Sequence, residues 1–229
     1  MSIEIYADGA TLENIDELNK NPAIKGFTTN PSLMRRSGVT NYKEFAMEML
    51  GRTNKPISFE VIADDMEGME REARIISGWG NNVFVKIPPM NTGQRSTSLI
   101  TRKLAESGIK LNLTCLFTYK QIELAITSLI PTTNAIISIF AGRIMDTGIS
   151  ASPYVYYAKN NATNNMKILW ASTREIYNIQ QAKSCGADII TISPKLLQKL
   201  DLHGRNLYGY SLATIKMFRD DAVASGYKI

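Results

Sequence analysis

The feature that most constrains this chain is a recurrence. Short apolar segments with strand character return eight times, at Ile3–Ala7, Ile24–Thr28, Ile57–Val61, Val83–Ile87, Leu111–Thr114, Ala135–Ile139, Lys167–Ala171 and Asp188–Ile192. Their starts lie 21 to 33 residues apart, the length of a strand plus a crossover helix. Helical patterns fill the gaps at Thr11–Asn19, Tyr42–Leu50, Asp64–Trp79, Ser96–Ser107, Thr118–Ile130 and Ser172–Ser184. Asp64-Asp65 suits the positive end of a helix dipole. Such alternation, without a linker or a low-complexity tract, predicts an α/β protein whose 229 residues form one (β/α)8 TIM barrel. Residues 205–229 are expected to be a C-terminal helical segment, with Leu212–Ala224 amphipathic and docked on its own barrel or a neighbour's. An open doubly wound sheet fits less well, because Asp8-Gly9-Ala10 after the first strand is a turn and not a Gly-rich phosphate loop.

Composition excludes several classes. The chain is 44% hydrophobic and 21% charged, as in an ordinary globular protein, and no apolar run reaches the length of about 18 residues that crosses a bilayer. Its start, Met1-Ser2-Ile3-Glu4, lacks the basic and apolar regions of a signal peptide, so a cytoplasmic location with no membrane partner is expected. A net charge of +5 suits anionic ligands, but the basic residues are scattered and no nucleic-acid face is indicated. Cys115 and Cys185 are too few for a disulfide framework or a zinc site and read as packing residues. His203 reads as a surface loop residue.

Within the fourth segment, Val83-Phe84-Val85-Lys86-Ile87-Pro88, a lysine interrupts an apolar strand. Burial costs an ammonium several kcal/mol unless it is paired, and it favours the neutral, nucleophilic amine. Lys86 therefore reads either as a Schiff-base nucleophile or as a lysine paired with a carboxylate such as Glu60. In a barrel the active site lies at the C-terminal strand ends. Polar residues gather there on seven consecutive strands: Asp8, Thr28-Thr29-Asn30, Glu60, Lys86, Asn112 with Thr114, Ser138 ahead of Phe140 and Arg143, and Ser172 with Arg174.

Five segments carry a family resemblance: Gly26-Phe27-Thr28-Thr29-Asn30-Pro31-Ser32-Leu33, Val83–Pro88, Leu111–Phe117, Ala141-Gly142-Arg143-Ile144 and Ala171-Ser172-Thr173-Arg174. From about Ile5 to Leu200 the chain resembles the transaldolase family, specifically its short single-barrel members, which are barrels of the class I aldolase kind. The resemblance implies that Lys86 is the Schiff-base nucleophile and that Asp8 exchanges the C4 hydroxyl proton. It implies a water held by Glu60 and Thr114, sugar contacts from Asn30, Asn112 and Ser138, and a phosphate grip from Arg143, Arg174 and Ser172. Sugar phosphates are the implied substrates. No cofactor and no metal are expected, because a protonated imine serves as the electron sink. A homo-oligomer, as a ring of five or a pair of rings, is a further implication.

The same scaffold is known as a transferase and as a fructose-6-phosphate aldolase that releases dihydroxyacetone. The lyase type carries glutamine and tyrosine where this chain has Glu60 and Phe140, so the transferase is expected. A non-catalytic phosphosugar barrel, with Lys86 merely paired to Glu60, is the alternative outside enzymes. The chain departs from the family pattern at Asn91-Thr92-Gly93 and at Asp201–Asn206, which bear on acceptor preference and oligomer geometry.

Overall fold

The structure is a computed structural model that describes residues 3–9 and 11–228. Eight parallel strands close into a barrel in chain order: β1 (Glu4–Asp8), β2 (Ile24–Thr28), β3 (Ile57–Glu60), β4 (Val83–Ile87), β5 (Leu111–Leu116), β6 (Ala135–Ile139), β7 (Met166–Trp170) and β8 (Ile189–Ile192). β1 pairs with β8, so the sheet has no edge. The expected (β/α)8 architecture is present, and every expected strand lies within two residues of an observed one. The helices are α1 (Ile15–Lys20), α2 (Pro31–Arg36), α3 (Tyr42–Arg52), α4 (Met66–Ser77), α5 (Ser98–Glu106), α6 (Tyr119–Ser128), α7 (Ala141–Met145), α8 (Ser152–Asn161), α9 (Asn178–Ser184), α10 (Pro194–Leu197) and α11 (Leu207–Ala224).

Two buried layers follow from the period of two along each strand. One set of side chains, including Ala7, Phe27, Phe59, Val85 and Ile87, is buried together with Ile15, Met49, Ile76, Leu104 and Ile122 of the helices. The other set fills the barrel: Tyr6, Phe84, Ile136, Leu169, Ala171 and Ile189 form one cluster, with Phe140 packed against it. Caps explain several helix starts. Asn30, Asn41, Asp65 and Thr118 each accept a backbone N–H from the first turn, and Thr118 with Gln121 completes a reciprocal capping box.

Three local features differ from the sequence reading. The helix expected over Ser172–Ser184 begins only at Asn178, because the Asn178 side chain accepts the N–H groups of Arg174 and Glu175 while Thr173 Oγ1 donates to the Thr191 carbonyl. These bonds compete with the helix and hold 172–177 as a loop. The helix expected from Thr11 begins at Ile15, since the Asn14 side chain takes the Thr11 N–H and forms a turn. β5 runs past Thr114 through a bulge: Cys115 is left-handed (φ 56°), and pairing resumes at Leu116 opposite Ile139.

Two compact units divide the chain at residues 197 and 198. The first holds the barrel through α10. The second holds a short 3-10 turn and the eighteen-residue α11, whose start is capped by the Asn206 side chain accepting Gly209 N–H. That start lies five residues before the expected Leu212. No helix among the described residues is long and apolar enough to cross a membrane.

Candidate active site

A cavity of about 260 Å³ opens at the C-terminal ends of the strands. It is lined by Asp8, Asn30, Glu60, Lys86, Asn112, Thr114, Ser138, Phe140, Arg143 and Ser172, ten of the eleven residues singled out from sequence. The eleventh, Arg174, does not line it. A larger cavity, about 650 Å³, opens at the opposite end, but its lysines are committed: Lys110 donates to the Asn81 carbonyl and Lys167 pairs with Glu4. The concentration of carboxylates, amides and hydroxyls around a lysine belongs to the C-terminal cavity.

Parallel register sets its centre. Glu60 on β3 is opposite Lys86 on β4, and Lys86 is opposite Asn112 on β5. Lys86 is 5% exposed, and its Nζ lies 2.9 Å from Glu60 Oε2 and donates to the Thr29 carbonyl at 2.8 Å. A lone buried ammonium would be costly; here it is paired with a carboxylate. Glu60 is fixed from behind by Tyr42, whose hydroxyl accepts Glu60 N–H at 2.7 Å and donates to Glu60 C=O at 2.9 Å. The Tyr42 ring stands edge-on to Phe59 and Trp79, and burial pushes its phenol up.

Asp8 faces the same space from β1. Burial pushes its carboxyl above the ordinary carboxylate range; the Thr28 hydrogen bond and the Lys86 charge oppose that rise, and the Glu60 charge adds to it. Thr28 Oγ1 donates to Asp8 Oδ1 at 2.7 Å. Across the cavity floor, Asn112 donates to Ser58 Oγ at 3.0 Å and accepts from Ser138 Oγ at 2.7 Å, so both ends of its amide are oriented. The hydroxyl of Thr114 is buried without a partner. An orphan hydroxyl on a cavity wall is a place for a water or a ligand oxygen. Asn30 caps α2 through its side-chain oxygen, which accepts Leu33 N–H, and its amide nitrogen remains for another acceptor.

The rim carries the cations. Arg143, on the first turn of α7, holds its guanidinium 5.8 Å from the centre of the Phe140 ring, and Phe140 in turn packs on Phe117. Arg174 directs Nε and Nη2 to the carboxylate of Asp146, just beyond α7. Ser172 takes a left-handed conformation, φ 63°, at the end of β7.

Four participants escaped the sequence reading of the site: Thr28 as a partner of Asp8, Ser58, Tyr42 and Thr191. Ser58 and Thr191 were findable from alternation, since Ser58 precedes Glu60 by two and Thr191 is the polar residue of Ile189–Ile192. Tyr42 has no such signal, because it belongs to a helix. Cys115, read as a packing residue, lines the cavity beside the bulge, and burial pushes its thiol up, which disfavours the thiolate.

Comparison with known proteins identifies a family and a shared fold. The profile of the family described as Transaldolase/Fructose-6-phosphate aldolase matches residues 5–226. A probable transaldolase of a Thermoanaerobacter species is 32% identical, covering 99% of this chain and 100% of the relative. One of Carboxydothermus hydrogenoformans is 36% identical, covering 90% and 94%. Among solved structures, orotidine 5'-monophosphate decarboxylase from Metallosphaera sedula (TM-score 0.53, 12% identity, 87% of this chain and 92% of that one) shares the fold alone. The same holds for KGPDC from Streptococcus mutans, with TM-score 0.58, 10% identity, and coverage of 85% and 89%. With the family profile spanning nearly its whole length, this chain belongs to the transaldolase/fructose-6-phosphate aldolase family.

Proposed function

We propose that the protein is a transaldolase, moving a dihydroxyacetone unit from a ketose phosphate, such as fructose 6-phosphate or sedoheptulose 7-phosphate, to an aldose phosphate. The observation that carries this reading is the buried Lys86 amine, 2.9 Å from Glu60 and lining one cavity with Asp8 and Asn112. Glu60 accepts a proton from Lys86, and the neutral amine attacks the C2 carbonyl of the ketose. A water held between Glu60 and the unpartnered Thr114 hydroxyl carries protons during formation and dehydration of the carbinolamine, which leaves the iminium on Lys86.

Asp8 then takes the C4 hydroxyl proton as the C3–C4 bond breaks. The electron pair passes into the iminium, and the shorter aldose phosphate leaves. The retained three-carbon unit attacks the carbonyl of the acceptor, Asp8 returns its proton to the new hydroxyl, and water releases the product ketose. A carboxyl raised above its ordinary range is suited to both directions of that exchange. Asn30, Asn112 and Ser138 hold the hydroxyls of the three-carbon unit. Arg143 and Ser172, with Arg174 drawn from Asp146, bind the phosphate, for which guanidinium forks are well matched.

Phe140 favours the transferase over the lyase, because a phenyl ring has no proton to give to the intermediate. We further read the protein as a cytoplasmic homo-oligomer, with α11 and its Leu212, Ile215, Met217 and Phe218 as the docking element; light scattering of the purified protein tests the assembly.

The reaction is tested by incubation with fructose 6-phosphate, borohydride reduction and peptide mass spectrometry. A three-carbon adduct on Lys86, absent from Lys86→Met, is expected. Turnover of fructose 6-phosphate that depends on erythrose 4-phosphate distinguishes transfer from cleavage. An unmodified Lys86 would overturn the proposal.

A further inference from the structure

Beyond the residues that face substrate, the wall behind Asp8 contains a chain of hydroxyls. Thr28 Oγ1 lies 2.7 Å from Asp8 Oδ1 and 2.6 Å from Thr191 Oγ1. Both threonines are buried, at 5% and 4% exposure. They come from β2 and β8, the two strands that flank β1 in the closed barrel. Each hydroxyl has one proton. When Asp8 is ionised, the proton of Thr28 goes to the carboxylate, so the bond between the threonines must be donated by Thr191. A hydroxyl that receives a bond on its oxygen is also a better donor through its hydrogen.

We propose that Thr191 is a positioning residue for Asp8, acting through Thr28. By donating to Thr28 Oγ1, it leaves the Thr28 proton directed at Asp8 and fixes which carboxylate oxygen is held in the wall and which faces the cavity. Thr191 is itself held by its backbone: its carbonyl accepts the hydroxyl of Thr173, at the start of the loop that carries Arg174. This inference rests on the proposed role of Asp8 as the proton-exchanging group. Among the described residues, Lys86 from β4 and Glu60 from β3 are the charged groups that bear on Asp8, and β8 contributes the Thr191 hydroxyl. The relay therefore adjusts a balance that Lys86 and Glu60 already set.

The test is a cycle of Thr28→Val, Thr191→Val and the double variant, read as the pH profile of kcat/KM. Thr191→Val is expected to move the limb that reports ionisation of Asp8 upward by about 0.3–1 pH unit, since the carboxylate loses polarised support. Thr28→Val removes the charge-assisted bond itself and moves the limb by about 1 unit or more. The double variant should match Thr28→Val alone, because Thr191 acts only through Thr28. Thr191→Ser keeps the hydroxyl and should restore the wild-type limb; Thr191→Ala replaces the valine variant if that one does not fold.

An unmoved limb in active Thr191→Val, additive shifts in the double variant, or a serine variant that behaves like valine would each overturn the inference. If the wild-type protein shows neither turnover nor a trapped adduct, the functional reading fails instead. The Asp8 carboxyl can then be titrated directly by its 13C shift in aspartate-labelled protein, where the same order of the variants is expected and its absence overturns the relay.

Discussion

Gly142 of α7 lies so close to the carbonyl oxygen of Ser172 that a Cβ on it would stand 1.6 Å from that atom. The Gly142 N–H also donates to the Ala171 carbonyl at 3.2 Å. The turn that carries Arg143 is thus packed directly on the segment that carries Ser172 and Arg174, and only a residue without a side chain permits it.

Gly142→Ala should therefore act on the proposed phosphate grip and on stability together. The backbone must shift, since the atom it meets is main chain, at a cost of about 1–3 kcal/mol. A displaced rim should raise KM for fructose 6-phosphate by about tenfold or more while leaving borohydride labelling of Lys86 by unphosphorylated dihydroxyacetone close to wild type. Steady-state kinetics beside a urea denaturation curve check both halves. An unchanged KM would separate this contact from phosphate binding.

Asp8→Asn should abolish turnover and yet stabilise the fold near neutrality. The folded-state carboxyl is raised, so the native protein holds this proton more tightly than the unfolded chain does. The stability that this proton contributes is fully present below the ordinary carboxylate value. It is lost as pH rises through the raised value, when a desolvated carboxylate must be tolerated. Asparagine removes that penalty. Its Tm should exceed wild type by on the order of a few degrees at pH 7–8, with the gain fading in acid below the ordinary Asp range. Calorimetry across pH checks the sign.

Tyr42→Phe removes one hydroxyl and leaves two main-chain groups of Glu60 without their partner. A loss of about 1–3 kcal/mol is expected from the unsatisfied pair. The end of β3 loosens, so kcat should fall more than KM rises. Denaturation midpoints and single-turnover imine formation report the two effects separately.

Phe140→Tyr should convert part of the flux from transfer to release. A phenol beside the intermediate can supply the proton that the phenyl ring lacks, and general acid assistance is worth about 10²-fold or more when well placed. Free dihydroxyacetone formed from fructose 6-phosphate without an acceptor should rise, while the transfer rate falls. No increase would mean that Phe140 acts only by packing on Phe117 and under Arg143.

Much of this molecule could be read from the order of its residues. Apolar runs at the spacing of strand plus crossover helix leave few architectures open. The period of two along a strand places Asp8, Glu60, Lys86, Asn112 and Ser138 inside a barrel before any coordinate is known. What alternation cannot supply is which strand ends meet across the closure. The bond between Thr28 and Thr191 joins residues 163 positions apart, and only the pairing of β1 with both β2 and β8 brings them together. Tyr42 reaches Glu60 from a helix, Gly142 of α7 meets Ser172 in the loop after β7, and Arg174 turns to Asp146 and not into the cavity. Periodicity is a local property of the backbone and reports which face a side chain occupies. Hydrogen-bond partners across a closed sheet depend on its stagger and on competition among neighbours, and those are decided only when the chain has packed.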